Sequence, residues 1–458
     1  MYSKYLFDSY FKGIDTHLNL SIICNNPNSE AVMCLDGYKH SMVQIIALAL
    51  ASKTAVIIDN PPLVIDTHVF VALINELGGK ARIINEKLIL DMRNICVHTI
   101  PYRLGQFIHG SMYLCPALLC ALGEFNYYGS GGCRIGNSIN SERPIAHIIS
   151  VMREFGAVIT CDQFGHHGLY NNTNNTERVE IDIKRYSTDP YILSGELVGG
   201  ATKVAILMSL QKDCVVIKNP YIKTDVLDMI RFVRMLGKNV TIENDMIVIS
   251  GKLHLQTNNT ITVSLTECIS EIITYSTLAV LQNTKLRFKN LSKQTITKGI
   301  QPELSLFRNM GINYQWDNND LIVFPCKTFV PQHIDVLPNT IQSDHHPFFT
   351  LLLSFGVGTS SITEHVWKNR YYYINNLNKM NCSITQKDNS IYINPAVMTQ
   401  SDDDLPGRDV RCAAVTLLAM IVSNSRSKLT EAEHIFRGYS RLCEHLHELG
   451  ITVDCFGG

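Results

Sequence analysis

A chain of 458 residues, 46% hydrophobic and 18% charged, is long enough for two or three domains with large cores, and its composition excludes a disordered or fibrous protein. The 40 Lys and Arg nearly cancel the 41 Asp and Glu, leaving a formal net charge of -1. No global field therefore favours nucleic acid or an anionic membrane, and any anion site must be a local cluster.

The N-terminus, Met1-Tyr2-Ser3-Lys4-Tyr5, lacks the apolar core of a signal peptide, and no uncharged apolar run reaches bilayer length. Both point to a cytoplasmic protein. The first clear element is Met42 to Leu50, apolar nearly all round, which predicts a helix buried on every side. Val71 to Gly78 follows as an amphipathic helix ending on glycine. The same closing helix returns at Ile149 to Gly156, Met229 to Gly237, Leu306 to Gly311, Leu377 to Asn381 and Leu442 to Gly450, each followed by alternating segments such as Met246-Ile247-Val248-Ile249 and Ile391-Tyr392-Ile393. The period is roughly 70–80 residues, longer than in the common solenoids. Six α+β units are predicted, with helices inside and sheets outside.

In the second unit, Gly129-Ser130-Gly131-Gly132-Cys133-Arg134-Ile135-Gly136 presents one thiol on a glycine-rich loop. Glycines permit positive φ and close backbone approach to a small anion. The loop is neither a phosphate-binding P-loop, which needs Gly-Lys-Ser/Thr, nor a dinucleotide fingerprint, whose glycine spacing it lacks. Alone it does not separate a catalytic loop from an ordinary turn. The other 13 of the 14 cysteines, among them Cys115, Cys120 and Cys412, are scattered without regular spacing, and most are expected to be buried reduced thiols.

The six units, the buried-helix pattern and the Gly-Gly-Cys loop together resemble the enolpyruvyl transferases, more closely the UDP-N-acetylglucosamine enolpyruvyl transferases of cell-wall (peptidoglycan) synthesis than 5-enolpyruvylshikimate-3-phosphate synthase, which lacks that loop. The matching segments keep their order: Asp36-Gly37-Tyr38-Lys39-His40, Gly131 to Gly136 with Arg143-Pro144-Ile145, Ser343-Asp344, Lys368-Asn369-Arg370-Tyr371, Asp409-Val410-Arg411-Cys412-Ala413-Ala414, and Phe436-Arg437-Gly438-Tyr439. The resemblance implies a two-domain inside-out α/β barrel of six βαβαββ-type units. Residues 1–37 with 267–458 would form one domain, and 38–266, carrying the Cys loop at 129–143, the other.

The resemblance also implies the chemistry. Phosphoenolpyruvate, with a phosphate and a carboxylate, would meet Lys39, His40, Arg143, Asp409, Arg411 and Arg437, the arginines offering bidentate forks. An alcohol adds at C2 while C3 gains a proton, and phosphate then leaves, so an acid and a base are required. Cys133 would be the acid, with Lys39 beside it, and Asp344 the base. Read from the residues alone, Asp344 is equally an N-cap of the helix beginning near Phe348. The acceptor would contact His109, Pro144, Ile145, Val198, Gly199, Gly200, Glu271, Asp344, Val366 and Arg370.

No metal or other cofactor is expected, since His345-His346 and His166-His167 are not completed by a spaced ligand set. Three departures from the family stand on the acceptor side: His40, His109 in place of an arginine, and a Ser194 to Thr202 loop without lysine. They predict a cation-poor site for a nucleotide diphosphate. About five extra residues also lie within Asn137 to Glu142. Three functions are weighed: enolpyruvyl transfer to UDP-N-acetylglucosamine, the same transfer to another acceptor such as the ribose hydroxyl of a uridine nucleotide, and ligand binding by a catalytically silent paralogue.

Overall fold

A helix without a polar face cannot lie at a surface, and six such helices form the centre of this molecule: Lys39–Ala51, Leu114–Leu122, Gly199–Met208, Ile269–Leu281, His346–Leu353 and Val410–Val422. Every residue from Ser41 to Ala51 is buried, as is every one from Ile269 to Val280 and from Arg411 to Ile421. Side chains such as Ile45, Leu48 and Leu278, at 0% exposure, each stabilise the fold by roughly 1.5–3 kcal/mol before the cost of ordering them. The computed structural model describes residues 2–12, 17–129, 131–132, 145–171, 178–186, 199–254 and 260–457.

Among the described residues six small sheets cover these helices, five of four strands and one of three. Three sheets draw only on residues 55–263, and in one of them Thr260–Val263 pairs parallel with Ala55–Ile58. Two of the other three combine an N-terminal strand with strands from Lys285 onward, Glu30–Met33 pairing parallel with Lys285–Phe288 and Leu18–Asn25 antiparallel with Ile451–Gly457, and the third draws only on residues 333–394. The architecture is thus α/β with helices inside and sheets outside. The strand Leu18–Asn25 and a helix before it, Tyr2–Phe11, precede the first element expected from the sequence, because neither has a strong period of its own.

Each unit's second helix ends as its sequence predicts. Gly78, Gly156, Gly237, Gly311 and Gly450 take φ between 85° and 98°, and Asn381 takes 65°. Only residues that tolerate the left-handed region can stop a helix this way. The cysteines correct an expectation: of the thirteen described, four are buried, Cys115, Cys268, Cys382 and Cys412. Cys24, Cys34, Cys96 and Cys161 are exposed, on strands or the turns next to them, since the sheets form the outer layer.

The chain crosses between the two sets of sheets near Asp36–Tyr38 and again near Thr266–Cys268, and these crossings are bonded to one another. Tyr38 N–H donates to the Thr266 carbonyl at 2.8 Å, and Cys268 N–H to the Asp36 carbonyl at 2.9 Å. A Cβ at Gly37 would overlap the Asn60 carbonyl and the Leu265 side chain, so glycine is required where the crossings touch.

Candidate active site

The crossings place the starts of all six central helices around one cleft. Its walls carry Lys39 and His40, Met112 and Tyr113, Gly199 and Gly200, Ser270, Ser343 and Asp344, and Val410 with Arg411, each from the first turn of a central helix or just before it. Unsatisfied N–H groups and helix dipoles there favour anions. The cleft has two lobes of about 250 and 220 Å³ that share Tyr38, His40, His109, Lys203, Asp344 and Arg370 as walls.

In the smaller lobe, buried Asp66 is shared by two cations: Lys39 Nζ lies 3.1 Å from one oxygen and Arg437 Nε 3.3 Å from the other. Lys39 also donates to the Arg437 carbonyl at 2.8 Å, and Arg437 to the Phe107 carbonyl at 3.2 Å. Burial pushes the Asp66 carboxyl up, but Lys39 and Arg437 outweigh it and hold the group below the usual aspartate range. At the boundary of the lobes, Asp344 is shared in the same way: one oxygen pairs with Arg370 and the other with Arg411 at 2.8 Å. Two cations per carboxylate leave each cluster with one excess positive charge, poised for an anionic ligand.

Asp344 does not cap the following helix: its side chain turns into the cleft, and His345 occupies the N-cap position without a side-chain bond to the helix backbone. Asp409 is the true cap, accepting from Arg411 N–H at 2.8 Å and Cys412 N–H at 3.0 Å. It also lines the smaller lobe, where it holds the turn that carries Arg411.

The larger lobe corrects the expected poverty of cations. Lys203, paired with Asp225, and Lys223, which donates to the Thr340 carbonyl at 3.2 Å, both line it. Burial and the charges of Lys203 and Lys39 bring His40 down to about 4, and burial with Lys203 does the same for His147, so both imidazoles are neutral near pH 7. His109, Gly199, Gly200, Val366 and Arg370 line this lobe, joined by Tyr221 and Trp367.

Two of the acceptor contacts inferred from the sequence lie elsewhere. Glu271 is 1% exposed, with Oε2 4.0 Å from His445 Nδ1, and burial together with the Asp36 charge pushes its carboxyl well above the usual range. It begins a helix on which Ser270 faces the cleft, and one residue further turns about 100° away. Ile145 precedes the helix Ala146–Glu154 and packs on the core. Cys133, Arg143, Pro144 and Val198 lie outside the described residues.

The base of the Cys loop is described. A Cβ at Gly131 would overlap the Gln106 carbonyl, and Gly132, at φ 109°, lines the smaller lobe and packs on His109. Gly131→Ala is therefore expected to lower kcat/KM at least tenfold with little loss of overall stability; steady-state kinetics beside thermal unfolding checks this, and unchanged turnover counts against it. Lys203, Lys223, Asp225, Asp66 and His147 were not singled out from the sequence. The one available signal was Lys203, directly after Gly199-Gly200-Ala201-Thr202.

Six α/β units around a cleft of paired arginines and converging helix starts define an anion-handling transferase of the inside-out barrel class. The sequence matches the family model of EPSP synthase (3-phosphoshikimate 1-carboxyvinyltransferase) over residues 30–446, and the chain belongs to that family of carboxyvinyl transferases. Among curated relatives it is 26% identical over 436 residues to the UDP-N-acetylglucosamine 1-carboxyvinyltransferase of the Wolbachia of Brugia malayi, covering 92% of this chain and 95% of that one. It is also 26% identical to the enzyme of that name from Prochlorococcus marinus, covering 92% and 87%. Among solved structures, the enolpyruvyl transferase NikO from Streptomyces tendae superposes with a TM-score of 0.86 at 25% identity, over 97% of this chain and 100% of that one. The EPSP synthase of Acinetobacter baumannii, at 14% identity and a TM-score of 0.68 over 96% and 100%, shares the fold.

Proposed function

We propose that this protein transfers the enolpyruvyl group of phosphoenolpyruvate to a hydroxyl of a uridine-nucleotide acceptor, releasing phosphate, with UDP-N-acetylglucosamine the first candidate acceptor. The observation that carries the reading is the pair of two-cation, one-carboxylate clusters at the convergence of six helix starts. Phosphoenolpyruvate brings a phosphate and a carboxylate, and its charge would compete with Asp66 and Asp344 for Lys39, Arg437 and Arg411. Arg143, from the loop side, would complete the set.

The two halves, 1–37 with 267–458 and 38–266, would close on the ligand and exclude water. Drawing Arg411 toward the donor would loosen its grip on Asp344. A carboxylate relieved of one guanidinium binds a proton more readily, so donor binding would ready the base for the acceptor hydroxyl. Cys133 would deliver a proton to C3 as the hydroxyl oxygen bonds to C2. Loss of phosphate and of a C3 proton from the tetrahedral adduct restores the vinyl group.

A second acceptor, the ribose hydroxyl of a uridine nucleotide, is favoured by one observation: the neutral imidazole of His40, with His109, on the walls between the lobes. A neutral ring suits a hydroxyl better than a diphosphate. Phosphate release from phosphoenolpyruvate, measured with UDP-N-acetylglucosamine and with uridine monophosphate, tests both. Release should depend on one of them and vanish in Cys133→Ala, and release with neither sinks the reading. Fosfomycin, an epoxide, should add its mass to Cys133; a shift confined to another cysteine counts against the thiol's role.

A further inference from the structure

Beside Asp344 a line of buried polar groups runs from the cleft wall into the interior. Arg411 Nη2 donates to Ser270 Oγ at 3.0 Å, Ser270 Oγ lies 3.2 Å from His345 Nε2, and His345 Nδ1 lies 2.7 Å from Glu303 Oε1. Ser270 is 1% exposed, and His345 and Glu303 are 0% exposed. The ends of the line set its proton order, since a guanidinium can only donate and a carboxylate can only accept. His345 carries a proton on Nδ1, toward Glu303, and in the neutral ring its Nε2 accepts the Ser270 hydroxyl proton. Each bond points the same way, from cation to anion, an arrangement in which neighbouring bonds reinforce one another.

Burial pushes the Glu303 carboxyl up, but His345, the Lys223 charge and the Gln342 N–H outweigh it and hold the group below the usual glutamate range. Arg370, the other partner of Asp344, is held differently: its Nη1 donates to Ser343 Oγ at 2.7 Å, and Ser343 bonds directly to Glu364. The histidine relay is thus particular to Arg411.

We propose that His345 is a positioning residue which, through Ser270 and anchored by Glu303, fixes the Arg411 guanidinium where it can meet both Asp344 and the anionic donor. An arginine side chain free to change rotamer would spend much of its time out of reach. The relay removes that freedom.

The proposal rests on reading Arg411 as a phosphoenolpyruvate contact, and its test separates the two. Calorimetric titration of phosphoenolpyruvate into the wild-type protein, Ser270→Ala, His345→Gln and the double variant is expected to raise Kd about tenfold in each single variant. Because both act through one line, the double variant should bind no worse than the weaker single by more than about twofold, whereas independent packing defects would multiply. Ser270→Ala orphans no charge, so it decides the matter if His345→Gln fails to fold.

A folded Ser270→Ala that binds like the wild type overturns the positioning role alone, as does a double variant whose losses multiply. A wild-type protein that does not bind phosphoenolpyruvate overturns the functional reading and this proposal with it.

Discussion

Replacing Arg411 with alanine is expected to lower kcat/KM for phosphoenolpyruvate about 10³-fold, equivalent to about 4 kcal/mol. Arg411 is 8% exposed, and its guanidinium bonds Asp344 at 2.8 Å, Ser270 at 3.0 Å and the Tyr439 hydroxyl at 3.1 Å. Its removal therefore takes away a forked anion contact and leaves Asp344 with Arg370 alone. Burial alone would pull the Arg411 pKa down, but Asp344 and its hydrogen bond raise it, so the charge is permanent at any working pH. Arg411→Lys keeps the charge and loses the fork, and should recover only part of the loss. Steady-state kinetics on folded protein checks both. An alanine variant within tenfold of wild type shows that this arginine does not hold the donor.

The second large effect is expected at Asp344. Asp344→Ala should reduce kcat by about 10²–10⁴ while phosphoenolpyruvate binding is maintained or tightened, because two arginines lose the carboxylate that competes with the ligand. Weakened donor binding with unchanged kcat would reverse the assignment. Burial pushes the Asp344 carboxyl up, yet Arg411 and Arg370 dominate and hold it well below the ordinary range. A carboxyl depressed on folding stabilises the folded state above its unfolded value, near 4, and loses that contribution as pH falls through the depressed value. The stability difference between wild type and Asp344→Ala should accordingly be flat between about pH 6 and 8 and shrink below about pH 4, measured by denaturant unfolding.

Much of the fold could be read from local rules. Positive φ admits few residue types, so Gly78, Gly156, Gly237, Gly311, Asn381 and Gly450 marked six helix ends, and Met42 to Leu50, with no polar face, could only be interior. The strand Leu18–Asn25 was not legible, because what orders it is pairing with Ile451–Gly457, more than four hundred residues away. The site divided along the same line. Lys39, Asp344, Arg370, Arg411 and Arg437 stand in short motifs whose residues stay together, and the fold brings them to one cleft.

Lys203 and Lys223, by contrast, look in sequence like solvated lysines on helices. They become part of the cleft only because Gly199–Met208 and Thr224–Met235 start beside each other. Glu271 misled for a geometric reason: sharing a motif with a site residue does not put a side chain on the same side of the helix, and Ser270 faces the cleft where Glu271 does not.

The paired crossings at Asp36–Tyr38 and Thr266–Cys268 carry a consequence for biosynthesis. The sheets of residues 55–263 need no strand from outside that range, so this half can close while the ribosome is still translating the remainder. The strand Leu18–Asn25 has its partners at Leu429–Thr430 and Ile451–Gly457, which are made long after it. Until they emerge it is an unpaired β segment with exposed edges, the kind of surface that recruits chaperones or aggregates. A nascent chain stalled after residue 270 should therefore already bury the central helices Lys39–Ala51, Leu114–Leu122 and Gly199–Met208 against protease, while cleavage still occurs near residue 20.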